Sequence, residues 1–279
     1  MLAIFEYTFL WRSLAAAVLI GSLCSFLGVF VVLKGLSFVG AGIAHGAFAG
    51  VALAFLIGAN PFMTGLLFSL IMVWLIGISS RKGNLNVDAS TGILFAVTMA
   101  LAVLFIGMMR QYNTELFGFL FGNILAVSGQ DLYYMGLVVI GVFTILILGY
   151  RAFYYWAFDE TMAQASGIPL PQIFFLFLSL LAVSIVASLK VVGELLVTAF
   201  MVIPASSAYQ LTYSLRRMIV ISIFLGALAS LVGLIISFVW DVPSGASIVL
   251  ILGLEFLLST LFSPKKRHFR RGRGEKIER

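Results

Sequence analysis

Charge is scarce in this chain. Only 10% of its 279 residues are charged and 62% are hydrophobic, whereas a soluble domain carries about 25% charged residues. That balance excludes a water-soluble globular domain and points to a polytopic membrane protein. Cysteine is almost absent as well. The single Cys24 lies in the first apolar run, which excludes a disulfide framework or a thiolate metal cluster within one chain. Also missing are a Gly-x4-Gly-Lys-Ser/Thr phosphate loop, a His-Glu-x-x-His pair, a Cys/His zinc spacing and a Ser/His/Asp set in a polar pocket. No catalytic residue and no prosthetic group is therefore expected, and driving energy must come from an ion gradient or another subunit. Arg12 interrupts the N-terminus ahead of a run long enough to span, so no cleavable signal is expected.

Apolar sequence in membrane-length runs is what the chain has in quantity. A span needs about 20 apolar residues. Such runs predict helices at Ser13–Leu33, Phe38–Ile57, Pro61–Ile78, Thr91–Met109, Tyr133–Gly149, Pro171–Leu189, Val192–Leu211, Met218–Val239 and Ser244–Leu261. The expected fold class is all-α, a polytopic helical bundle with nine crossings over residues 1–262. The piece Leu116–Val127 is too short to span and reads as an interfacial or re-entrant helix.

Eight of the seventeen basic residues fall between Lys265 and Arg279. Next to a span, this 263–279 tail reads as a cytoplasmic anchor at anionic lipid headgroups, not as a nucleic-acid arm. With the tail inside, Lys34, Arg81, Lys82, Arg151, Arg216 and Arg217 also fall inside, against Arg12, Arg110 and Lys190 outside. The positive-inside asymmetry thus places the C-terminus in the cytoplasm and the N-terminus outside.

Between spans, the stretch from Arg151 to Pro169 is the longest polar segment on the cytoplasmic side. Phe153, Tyr154, Tyr155, Trp156 and Phe158 seat its entrance at the membrane interface. Asp159 and Glu160 then open a short helix with an acidic first turn, which Gly167 and Pro169 stop. Composition leaves a lipid-surface helix and a docking element equally open.

Gly42, Gly46 and Gly50 recur every four residues in the second run and form one smooth stripe for close helix packing. His45 lies one position off that stripe. An imidazole at membrane depth is costly and marks a functional site by default; the plainer alternative is a histidine bonded to a backbone carbonyl to fix packing.

Several segments resemble, in order, the permease subunits of bacterial ABC importers for zinc and manganese, the metal ABC-3 permeases. They are Val32–Gly40 leading to Ala44-His45, Gly58-Ala59-Asn60-Pro61, Thr91-Gly92-Ile93, Leu120–Val127, Phe158-Asp159 through Pro169, Lys190–Val197 ending in Ile203–Ala208, and Asp241–Gly245. Each is weak alone; seven in the family's order are hard to obtain by chance. The resemblance implies a homodimer around a central pathway in the bacterial inner membrane. It further implies two ATP-binding subunits below and an extracytoplasmic metal-binding protein above. It makes the helix bearing Asp159, Glu160, Ala163 and Gly167 the coupling helix that docks on the ATPase.

One departure bears on the substrate. Where the family commonly carries an aspartate four residues before the histidine, this chain has Ala41. A site of His45 alone would be poor for a hard ion such as Mn²⁺. Glu194, just after Gly193, could supply the missing oxygen from another helix. Alternatively it sits at the outer mouth and pairs with Lys190 one turn away; counting along the spans favours that alternative.

Weaker candidates follow. Glu255 lines the pathway or, preferably, snorkels to the cytoplasmic interface. Met108, Met109 and Met201 read as packing. Pro204 breaks its span and frees a carbonyl as a hinge or ion contact. Asp131 and Asp241 lie in outer loops. The sequence thus predicts the permease subunit of an ATP-driven divalent-metal importer, zinc before manganese, with the metal as cargo. The rivals are an ion-coupled secondary transporter working without an ATPase, for which no internal repeat is seen, and an intramembrane enzyme.

Overall fold

The computed structural model describes residues 8–83, 85–109, 114–122 and 124–265. Twelve α-helices follow in order among them: α1 Thr8–Leu33, α2 Val39–Ile57, α3 Pro61–Lys82, α4 Val87–Met108, α5 Thr114–Phe121, α6 Gly129–Leu148, α7 Tyr150–Phe158, α8 Glu160–Ala165, α9 Leu170–Val192, α10 Glu194–Leu211, α11 Leu215–Trp240 and α12 Ser244–Leu261. Nine of them, all but α5, α7 and α8, are long and apolar enough to cross a membrane, as the sequence predicts. No strand occurs among the described residues. Most of the basic tail and Asn123 lie outside the described residues.

Local chemistry sets the helix ends. Asn60 accepts hydrogen bonds from the Phe62 and Met63 amides ahead of α3, with Pro61 at its first position. Ser128 and Asp131 form a reciprocal capping box that starts α6 four residues before the predicted Tyr133. Asp159 caps α8 by accepting from the Met162 amide at 2.9 Å. The segment read as a polar loop from Arg151 contains a further helix, α7. Phe153 and Trp156 turn inward there and pack with Phe30 and Phe177, so only part of this aromatic group faces outward.

The bundle is layered. α1, α2, α9 and α10 form the interior, while α3, α4, α6, α11 and α12 leave long apolar flanks uncovered. α1 and α11 cross antiparallel along a seam of small residues. Ser222 donates to the Ser25 carbonyl at 2.8 Å, Ser230 donates to the Ala17 carbonyl at 3.1 Å, and Gly21 faces Gly226 between them. Small side chains let the backbones approach, and hydroxyls bridging the helices satisfy carbonyls without water. The α2 stripe does the same elsewhere: Gly42 lies against Thr91 and Met72, Gly46 against Met72, and Gly50 against the Thr64 carbonyl.

Candidate functional site

α9 ends at Val192, and Gly193 turns the chain with φ 77° and ψ 165°, a conformation that L side chains rarely adopt. Glu194 is therefore the first residue of α10, where the positive end of the helix dipole favours a carboxylate. The corner is not left open. Gly122, between α5 and the 3-10 turn Ile124–Ala126, lies against the Val192–Gly193 peptide so closely that a Cβ there would stand 2.5 Å from the Gly193 nitrogen. α5 also packs against α2, α9 and α10, roofing the corner. Glu194 is consequently only 7% exposed.

His45 stands in the second turn of α2, which runs antiparallel to α10. Gly40 faces the Met201 sulfur lower in the same contact. At the other end His45 Nε2 meets Glu194 Oε1 at 2.6 Å. The edge of the imidazole meets Phe95 of α4, with ring centroids 4.5 Å apart. Nδ1 of His45 and Oε2 of Glu194 are buried and have no hydrogen-bond partner within the chain. Two donors of different type, one nitrogen and one oxygen, thus converge, each with a further buried polar atom unspent. Among the described residues no third His, Cys, Asp or Glu joins them.

This geometry brings Glu194 onto His45, the arrangement that counting along the spans disfavours. Depth counted along separate spans kept His45 and Glu194 apart, but the Gly193 turn and its α5 cover bring α10's first residue into the interior. Lys190 does not pair with Glu194. Its ammonium donates to Asp131 at 2.8 Å, so Asp131 is tied into a cap and an ion pair on this flank. Pro204 is buried, but α10 continues through it unbroken; the break is at Gly193. Glu255 does not snorkel: both its carboxylate oxygens are buried without a hydrogen-bond partner. Met201 is fully buried against α1 and α2, and Met108 is 60% exposed. Asp241 caps α11 in the left-handed region with φ 51°.

At the other end of the bundle, the residues assigned to α8 divide. Ala163 is fully buried against the protein's own body, so it anchors the helix inward. Glu160 is exposed and ion-paired with Lys34, and Gly167 takes φ 71° with open space around it. Met162, at 53% exposure, projects outward between them. Met162 is not among the site residues the sequence predicts for this helix. Its large apolar side chain, the only one on a six-residue helix of small and polar residues, was the available signal.

Nine membrane-length helices among the described residues, with an acid–imidazole pair between two of them, define a polytopic membrane protein. The model of the ABC 3 transport family matches residues 6–263, and the chain belongs to that family. It is 38% identical over 261 residues to the manganese transport system membrane protein MntC of Halalkalibacterium halodurans, covering 94% of this chain and 89% of that one. It is 35% identical over 262 residues to the manganese import system permease protein ScaB of Streptococcus parasanguinis, covering 94% and 93%. Among solved structures it is similar to PsaBC from Streptococcus pneumoniae in complex with Fab, with a TM-score of 0.86, 33% identity and coverage of 98% and 100%.

Proposed function

We propose that this chain is the membrane-spanning subunit of an ATP-driven importer of divalent transition metal ions, and that His45 and Glu194 form a transit site for the ion. The observation that carries this reading is the 2.6 Å approach of a buried carboxylate to a partly buried imidazole from two different helices. Ionisable groups at membrane depth are expensive and mark solute pathways. A transition metal binds nitrogen and carboxylate oxygen together, and the ion would take the place of the direct contact between them. Two protein donors leave most of the coordination shell to water or to a second copy of the chain. That suits passage, because a transit site must bind well enough to admit the ion and weakly enough to release it.

The preference for zinc rested on a histidine without a carboxylate. Glu194 supplies that oxygen, and the similar proteins are named for manganese, so Mn²⁺ is the first substrate in this proposal. The remaining parts are a homodimer, a separate ATP-binding subunit docked at α8, an extracytoplasmic metal-binding protein and a bacterial inner-membrane location. The positive-inside asymmetry supports a cytoplasmic α8 and C-terminus.

The test is ⁵⁴Mn²⁺ uptake into liposomes holding the chain with its ATPase and binding protein, in competition with Zn²⁺ and Fe²⁺. Uptake is expected to require the ATPase and to fall in His45→Ala and Glu194→Gln. The loss should exceed the roughly 10- to 100-fold seen when a group merely supporting a ligand is removed. Uptake without the ATPase would make this an ion-coupled transporter. Unchanged uptake in both variants would make the pair a packing contact.

A further inference from the structure

Lys34 occupies the turn between α1 and α2, and its ammonium donates to Glu160, the first residue of α8, at 2.6 Å. Exposed ion pairs usually contribute little to stability. This one differs on the lysine side. The Lys34 side chain is only 19% exposed, and its ammonium stands 5.1 Å from the ring centroid of Trp156. Trp156 is itself 2% exposed and packed against Phe177. A cation held over a buried indole has lost most of its freedom before the carboxylate arrives.

The turn that bears Lys34 is short and tight. Gly35 adopts φ 66°, the Leu36 amide donates to the Val31 carbonyl at 2.8 Å, and the Val39 amide to the Leu36 carbonyl at 3.0 Å. Nothing slack separates Lys34 from α2. His45 follows eleven positions later, in the second turn of that helix.

We propose that the Lys34–Glu160 pair is the link through which displacement of α8 reaches α2 and the His45–Glu194 site, with Lys34 and Glu160 acting as positioning residues. The inference rests on the reading of α8 as the element that docks on the ATPase. A helix of six residues, moved from outside, must pass that motion to the membrane through its attachments. Ala163 attaches it by packing, and Lys34 attaches it to the helix that carries the imidazole. Packed elements with a rigid connection transmit a shift of this kind as a body.

The experiment is a double-mutant cycle in the complete transporter, reconstituted with its ATPase and binding protein. Lys34→Met, Glu160→Gln and the pair together are compared with the parent. The readouts are Mn²⁺ taken up per ATP hydrolysed and the amount of ATPase that co-purifies. Each single change is expected to lower uptake per ATP by about fivefold or more, the lower end of ordinary coupling between sites. Co-purified ATPase should stay at the parental level. Because the two residues act through one contact, the double variant should match the worse single variant and not the product of both losses.

Parental uptake per ATP in both single variants would overturn the link. So would multiplied losses in the double variant, or loss of the ATPase from Glu160→Gln, which would assign Glu160 to docking. Met162→Arg tests the docking reading by itself: it should strip the ATPase from the complex. If it does not, α8 is not the docking element, and the cycle still reports whether Lys34 and Glu160 act as a pair.

Discussion

Helix α2 carries four glycines and six alanines in nineteen residues, whereas its neighbour α4 turns Ile93, Val97, Val103 and Leu104 outward, each more than half exposed. In a soluble protein the assignment would be reversed, with branched aliphatic residues inside. Here lipid tails are as apolar as leucine, so burying a leucine gains little, and what the interior selects is close approach and polar pairing. The side of α2 away from lipid accordingly holds the glycine stripe and His45, and α4 meets it through Thr91 and Phe95.

The comparison can be broken most forcefully at Gly50. A side chain there runs into the Thr64 carbonyl oxygen of α3 at 2.5 Å, backbone that cannot swing aside, so Gly50→Leu should destabilise the protein by about 3 kcal/mol. Thermal unfolding in detergent reads that loss, and a wild-type melting curve would show that α2 and α3 are not tightly packed. Next comes Gly193→Ala. Its positive φ and extended ψ should cost about 2 kcal/mol, and displacement of Glu194 should reduce Mn²⁺ uptake more than stability; equal stability and uptake would dissociate the turn from the site.

Glu255→Leu should act in the opposite direction, stabilising the fold by about 1 kcal/mol in chemical denaturation. It removes a buried carboxylate that has no hydrogen-bond partner in the chain. A loss of stability there would reveal a partner, such as water or a second copy. The smallest effect is expected at Ile93→Ala on the uncovered side of α4, within about 0.5 kcal/mol. A loss well above that in the same melting experiment would mean that this flank is covered by protein in solution.

The spans were legible because length and hydropathy are properties of local sequence. The α2 stripe was legible because three glycines at a four-residue period have few other uses in an apolar run. The approach of His45 to Glu194 was not, since it depends on where Gly193 turns the chain and on what roofs that turn. Both are non-local facts: α9 and α10 are each of membrane length, as counting along the chain predicts, but that count says nothing of how α2 and α5 pack against the corner between them. Pro204 does not break α10, because surrounding helices hold it in shape, whereas Gly193 does turn the chain, because its conformation demands glycine. Glu255 departs from expectation for a related reason: the packing that encloses its carboxylate is non-local.

The sequence holds one cysteine, and that thiol is fully buried in α1. A maleimide reagent added to the folded protein should therefore find no accessible sulfur. Any cysteine introduced at the surface becomes a solitary chemical handle without first removing Cys24, and spin labels, fluorophores or cross-linkers placed on α4 or α8 can be read against a silent background.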